Sequence, residues 1–283
     1  WWSPDVTYEK TCDSNGNPDV RTFETFWPQY SIRSGFSWSS ANEIPGKPIP
    51  PLDSSGELVN PTTDLSWYSD GRFSISGDQL DTTTTTWPVT IYGGDPCGMV
   101  GLENGEIWSA TNQLSSGTPQ SSWVDSAHPI ITLPSGTTSD TTAIAHLPSN
   151  DALIMHDQKT QTQQGETSEV VWSTKSSSDG IIPNSFSSTF QIQNGASGSS
   201  PDVTSLAHGR LASVWTEGTT LSASFIKGAD RYDLWSSSWN PTESIGTGLR
   251  NGGQPTIAAL TGSPTLPHAE WNFAGYLSAA TNL

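Results

Sequence analysis

Asn17-Pro18-Asp19-Val20-Arg21-Thr22-Phe23, Ser200-Pro201-Asp202-Val203-Thr204-Ser205-Leu206 and Gln254-Pro255-Thr256-Ile257-Ala258-Ala259-Leu260 are three versions of one phrase. Each places a β-forming residue shortly after a proline, leaves two positions, and closes on a large apolar side chain. Leu65-Ser66-Trp67-Tyr68, Met99-Val100-Gly101-Leu102 and Ile144-Ala145-His146-Leu147 can be laid on the same template. The anchors Phe23, Tyr68, Leu102, Leu147, Leu206 and Leu260 recur at unequal but comparable intervals. The stretch ahead of Phe23 and the stretch after Leu260 together make one more interval of the same size, a sixth. A period of this size marks a repeat architecture whose units bury their faces only against one another. In three repeats a glycine (Gly71, Gly105 or Gly209) follows shortly after the anchor, as a tight turn into a returning strand requires.

A second periodic feature precedes the template. An aromatic residue in a Ser/Thr-rich stretch, Trp38, Trp87, Trp123, Phe190 or Trp239, comes before each later inner strand and is expected to fill the space between repeats. Trp2 stands as far ahead of Val20 as Trp239 stands ahead of Ile257, so the N-terminal segment is expected to supply the outer strand of the last repeat. Closure of that kind protects the ends of a ring of sheets. The predicted fold is therefore all-β, a six-bladed β-propeller forming a single domain over 1–283. Its inner strands lie near 19–23, 64–68, 98–102, 143–147, 202–206 and 256–260. In one repeat four strands can be bounded, at 202–206, 210–217, 220–226 and 232–239; Leu211, Ser213 and Trp215 alternate as a half-buried strand does. A jelly roll is the competing all-β architecture.

Composition agrees with many short strands and turns. Of 283 residues only 14% are charged, while Trp numbers 13, Gly 26 and Pro 20. That excludes coiled coils and long charged helices. With 10% aromatic residues the chain has enough large apolar area to fold. Eleven Lys and Arg against 28 Asp and Glu give a net charge of −17, which points away from nucleic acid and anionic lipid. No uninterrupted apolar run is long enough to cross a bilayer as a helix, so no membrane insertion of that kind is expected. Few lysines, much Ser and Thr, and a chain that begins at Trp1 without a leader read as a mature, secreted or cell-surface protein. In an oxidising compartment Cys12 and Cys97 fit one disulfide, which would tie the segment ahead of the first inner strand to the start of the third; two buried thiols are the other option.

Local catalytic motifs such as Gly-x-Ser-x-Gly, a phosphate-binding loop or His-Glu-x-x-His do not occur. Chemistry is therefore sought by position. Asp19, Asp64 and Asp202 stand at the head of three inner strands and would share one rim of the channel. Clustered carboxylates raise one another's pKa and suit metal binding or acid–base work, although Asp also simply suits a turn beside proline. Asp13, Asn15, Asn17 and Asp19 alternate oxygen-bearing side chains around Gly16, a pattern that a calcium ion can use; a plain Asx-rich turn is the other reading. No other cofactor is expected. The five histidines show no ligand spacing, and one facing the channel could pair with a neighbouring Asp as a base. Trp67, Trp108, Trp215 and Trp271 fall on or near inner and second strands, where an exposed indole would stack on a sugar ring.

With these features the chain resembles the secreted propeller lectins, including the six-bladed fungal fucose-binding type, whose pockets use Trp or Tyr with Arg and Glu. The resemblance implies a non-enzymatic glycan-binding protein with Arg72 and Arg210, at the start of second strands, in the binding role. Two other readings stay open. One is a glycan-active hydrolase or lyase built on the Asp rim and a histidine. The other is a structural or assembly protein of a cell surface or appendage, capable of self-assembly through its outer strands.

Overall fold

Runs rich in Thr, Val, Ile and Trp, bounded by Gly, Pro and Asn, have nowhere to satisfy their backbone groups except in sheet ladders. The computed structural model accordingly contains strands and no helix among the residues it describes: 2–12, 14–15, 18–34, 36–47, 54, 66–69, 71–77, 82–93, 102–115, 118–146, 152–175, 190–191, 197–206, 210–226, 242–248, 254–259 and 273–277. Strand pairing among the described residues is antiparallel, and the chain divides into two compact units.

The first unit comprises Trp1–Phe73, Asp81–Asp140 and Lys159–Glu166. Strand β1 (Trp2–Cys12) pairs with β2 (Pro18–Tyr30) along its whole length, from Trp2↔Pro28 to Cys12↔Pro18. The N-terminal segment, expected to supply the outer strand of the last repeat, forms a hairpin with β2. A short connection costs far less closure entropy than a junction between the two ends of the chain. Short strands follow: β3 (Arg33–Ser34) with β4 (Ser37–Trp38), and β5 (Asn42–Glu43) on the end of β2. A second sheet holds β6 (Ser66–Tyr68), and in the same unit β8 (Thr82–Gly93), β9 (Leu102–Ser115) and β10 (Thr118–Thr132) continue it in the order β10-β9-β8-β6. Strand β11 (Thr137–Thr138) also belongs here.

Three tryptophans organise this core. Trp87 and Trp108 face each other across β8 and β9, and Trp27 meets both edge to face at 5.5 and 5.9 Å. Trp27 is fully buried, with its Nε1 donating to the Ile44 carbonyl at 2.7 Å, so the indole is satisfied at both its apolar and polar ends. Ile44, Val89, Ala110 and Ala127 fill the gaps.

Two glycines expected as tight turns are sites of close approach. Gly105 lies inside β9, where a Cβ would stand 2.6 Å from Leu133 Cδ1 and 2.8 Å from Thr138 Cα. At Gly71 a Cβ would stand 2.3 Å from the Asp140 carbonyl oxygen. Both positions need glycine for space. The strand–turn–strand expected around Gly105 is also missing, because β9 runs on past Leu102.

The second unit comprises Ser74–Leu80, Thr141–Gln158 and Thr167–Leu283. Here β7 (Ser74–Gly77) lies beside β12 (Thr142–His146), with Ser74 Oγ and Ser76 Oγ accepting from the Ile144 and His146 amides. Strand β12 pairs with β13 (Ala152–Thr162), followed by β14 (Gly165–Lys175) and β15 (Phe190–Gln191). The four-stranded sheet β16 (Ser199–Leu206), β17 (Arg210–Glu217), β18 (Thr220–Ile226), β19 (Glu243–Thr247) is strictly up-and-down. Its second and third strands have the boundaries read from sequence; its fourth is Glu243–Thr247, whereas the expected 232–239 lies outside the described residues. Strand β20 (Pro255–Ala259) pairs with β21 (Phe273–Leu277). Template strands β12, β16 and β20 lie side by side in that order. Leu153, Met155, Val170, Trp172, Leu211 and Trp215 make the main core.

Candidate functional site

The described surface that gathers most chemistry belongs to the first unit, where the segment after β2 packs on β10. Strand β10 is irregular. Against β9, Asp125 pairs with Thr111 and His128 with Ser109, so three steps on β10 match two on β9. In a regular strand residues three apart point to opposite faces. The extra residue of the bulge turns His128 back to the side of Asp125, and its Nδ1 lies 3.0 Å from Asp125 Oδ2 and 2.9 Å from the Ser126 carbonyl oxygen. The Ser126 carbonyl can only accept, so Nδ1 carries the proton and donates it there, and Nε2 holds the lone pair of the neutral ring; Asp125 Oδ2 is a charged neighbour of Nδ1 rather than its hydrogen-bond acceptor. Both side chains are partly open to solvent, at 29% and 21%.

Beside this dyad stands an aromatic pair. Trp123 and Tyr30 meet edge to face at 5.1 Å, and both lean on the Trp27 core. The chain then forms the β3–β4 hairpin, with Arg33 opposite Trp38. Phe36 at its turn is fully exposed and Trp38 is 66% exposed. Hydroxyls lock the hairpin base: Ser31 Oγ donates to the Ser39 carbonyl at 2.7 Å, and Ser39 Oγ accepts from the Ile32 amide at 3.0 Å. Asn42 Nδ2 donates to the Ser40 carbonyl, and Lys47 pairs with Glu43 at 3.1 Å. The segment is fastened to β10 where the Ala127 amide donates to the Pro45 carbonyl at 2.7 Å. Gly46 permits that approach: its φ is +100°, and a Cβ would stand 2.6 Å from Ala127 O. The result is a solvent-facing aromatic hairpin on a segment fastened to the strand that carries the partly exposed imidazole and its neighbouring carboxylate.

Residues singled out from sequence fare differently. Trp108 and Trp215 are buried in cores, each with Nε1 donating at 2.8 Å to a glutamate two residues away, Glu106 and Glu217 respectively. Their ring faces are occupied by packing rather than offered to a sugar. Burial raises the Glu106 pKa, and the Trp108 hydrogen bond opposes the rise. Asp202 is buried at the head of β16. Its Oδ1 accepts from the Val203 amide (3.0 Å), and its Oδ2 accepts from Thr256 Oγ1 (2.8 Å) and the Ile257 amide (2.9 Å), strapping β16 to β20. Ser200, at φ 54°, and the register shift between Ser199 and Asp202 turn the carboxylate that way. Arg72 is half-buried, and its amide donates to the Asp140 carbonyl. Asn15 is exposed in a turn.

For Trp67, Arg210, Asp19 and Cys12 the backbone is placed, in β6, β17, β2 and β1, and the side chains lie outside the described residues. Asp13, Asn17, Asp64, Cys97 and Trp271 lie wholly outside them, and with them the calcium loop and the Cys12–Cys97 pairing. Among the described residues no three His, Cys, Asp or Glu side chains converge as a metal site. Of the aromatics expected between repeats, Trp87 is buried and Trp123 is half-buried, whereas Trp38 departs to solvent; Phe190 and Trp239 have no described side chain. Sequence reasoning missed both Trp38 as a site residue and the His128–Asp125 pair, whose i,i+3 spacing on a strand gives no signal without the bulge.

In the second unit His156 and Asp157 are fully buried on β13. Asp157 Oδ1 accepts from the Thr141 amide at 2.9 Å. His156 Nδ1 lies 3.1 Å from the Asp157 carbonyl oxygen, and its Nε2 has no hydrogen-bond partner. Burial pushes the His156 pKa down to about 4.

No family model and no curated protein matches the chain. Among solved structures, a protein of unknown function from Dyadobacter fermentans DSM 18053 aligns over 96% of this chain and 71% of its own, at 11% identity and a TM-score of 0.47. The alpha-L-arabinanase of Penicillium chrysogenum, solved with arabinobiose, aligns over 85% and 81%, at 11% identity and a TM-score of 0.39. At TM-scores below 0.5 neither likeness assigns a fold or an activity.

Proposed function

We propose that this protein is a secreted, glycan-binding, propeller-like protein whose described binding surface is the β3–β4 platform. The observation that carries the reading is Trp38, an indole 66% exposed on a hairpin whose base is locked by Ser31 and Ser39. A rigid exposed indole loses little entropy when a pyranose ring stacks on it, and Arg33 beside it supplies hydrogen-bond donors for ring hydroxyls. The charge of −17 favours neutral over anionic glycans. The repeat phrase, the up-and-down β16–β19 sheet and the side-by-side β12, β16 and β20 support a ring of blades, six by the repeat count. The loop over 13–19 remains our candidate calcium site, and Cys12 with Cys97 our candidate disulfide.

Intrinsic fluorescence during titration with a panel of neutral mono- and oligosaccharides, with and without calcium, tests the reading. A saturable shift in the wild type that disappears in Trp38→Ala is expected, with thermal stability changed by less than about 0.5 kcal/mol because the side chain is exposed. A shift that survives in Trp38→Ala moves the site elsewhere; no shift with any sugar ends the glycan reading. A glycan-active hydrolase is the second reading, and the His128–Asp125 dyad is the observation that favours it.

A further inference from the structure

The geometry points to a hydrolytic site at His128, acting on an acyl ester carried by a glycan. The inference rests on the glycan reading for its substrate but not for its chemistry. Three features of the site carry it. The bulge between Asp125 and His128 brings together two side chains that a regular strand would separate, and bulges of this kind re-aim side chains at functional sites. The Ser126 carbonyl, which Nδ1 meets at 2.9 Å, fixes one tautomer, so the ring is set to take a proton at Nε2. The dyad is partly exposed, and it is attached through Ala127 and Trp123 to the segment that presents Trp38. The buried His156 shares only the fixed tautomer.

An imidazole beside a carboxylate suits a reaction in which one group first takes a proton and then returns it. Hydrolysis of an ester has that form. His128 Nε2 takes a proton from water as the water oxygen bonds to the acyl carbon. The tetrahedral intermediate then collapses, the bond from the acyl carbon to the sugar oxygen breaks, and His128 gives its proton to the departing sugar oxygen. The products are a carboxylic acid and a free sugar hydroxyl, and His128 is neutral again. Asp125 touches no reacting atom; its carboxylate, 3.0 Å from Nδ1, stabilises the imidazolium, while the Ser126 carbonyl orients the ring. Glycosidic cleavage, by contrast, is ordinarily the work of two opposed carboxylates.

The test uses the full chain with two probes, 4-nitrophenyl acetate and an O-acetylated xylo-oligosaccharide, following nitrophenolate absorbance and acetate release. Wild type should hydrolyse both. His128→Gln should lower kcat by about a hundredfold or more on each, and Asp125→Asn should lower kcat with KM little changed. Trp38→Ala should raise KM for the acetylated oligosaccharide. Near-ultraviolet circular dichroism shows whether each variant remains folded. Absence of turnover in the folded wild type, or an undiminished rate in folded His128→Gln, overturns the inference. Sugar binding by fluorescence without ester turnover overturns it and leaves the glycan reading standing; turnover of the nitrophenyl ester alone, with no sugar binding, upholds the base at His128 and overturns its glycan substrate.

Discussion

His156 should make the second unit sensitive to acid over a definite interval. In the unfolded chain its imidazole titrates near the ordinary 6.5; folded, burial pushes the value down to about 4. The unfolded state therefore binds the proton first as pH falls. The stability contributed by keeping the ring neutral is fully present above about pH 6.5 and is lost progressively toward pH 4, below which this residue adds no further loss. At about 1.4 kcal/mol per pH unit the whole interval amounts to about 3 kcal/mol. The structure supplies the cause: the side chain is fully buried, and Nε2, which would carry the added proton, has no acceptor to receive its hydrogen. The substitution to make is His156→Gln, which keeps a polar side chain of similar reach and cannot titrate. Urea unfolding at pH 7.0, 5.5 and 4.5, followed by tryptophan fluorescence, gives both stabilities. Carboxylates and the other histidines contribute equally to both proteins, so the difference isolates His156. The wild type should lose about 2–3 kcal/mol more than the variant between pH 7.0 and 4.5. Parallel curves for the two proteins would show that the buried imidazole is not what acid attacks.

Two further substitutions test the sheet architecture. Asp202→Asn sets an amide against three donors, from Val203, Thr256 and Ile257, and should cost about 2–3 kcal/mol in denaturant unfolding, whereas Thr256→Val removes one donor and should cost about 1 kcal/mol. Gly105→Ala inserts a Cβ where Leu133 Cδ1 and Thr138 Cα leave no room, and should destabilise by about 1–3 kcal/mol in the same assay; a neutral result would mean that Leu133 and the backbone around Thr138 yield easily.

The all-β class and several strand positions can be read without coordinates, because they depend on local quantities. Period-two alternation and closely spaced turn signals place β17 and β18 at Arg210–Glu217 and Thr220–Ile226, where the strands are found. The expected inner strands near 19–23, 64–68, 143–147, 202–206 and 256–260 all fall within or largely on observed strands, while 98–102 lies almost wholly outside the described residues. Local patterns do not reveal what a strand packs against. Gly71 and Gly105 read as turns, because a glycine needed for φ and a glycine needed for space are the same letter. Trp108 and Trp38 are likewise one residue type, yet neighbours on β2 and β8 enclose the first while the β3–β4 hairpin lifts the second into solvent.

Asp202 shows the same division. The sequence places an acid at the head of an inner strand, but only the folded arrangement supplies the donors on β20 that occupy it. His128 and Asp125 mark the limit most clearly. Their spacing puts them on opposite faces of an ideal strand, and it is the mismatch of one residue between β10 and β9 that joins them. Backbone hydrogen bonding and side-chain alternation, both short in range, are enough to set where the strands lie. Which aromatic is exposed, which carboxylate is spent on a neighbouring strand and which histidine meets an aspartate are matters of register and packing between strands far apart in the chain. Those terms exist only once the sheets have formed.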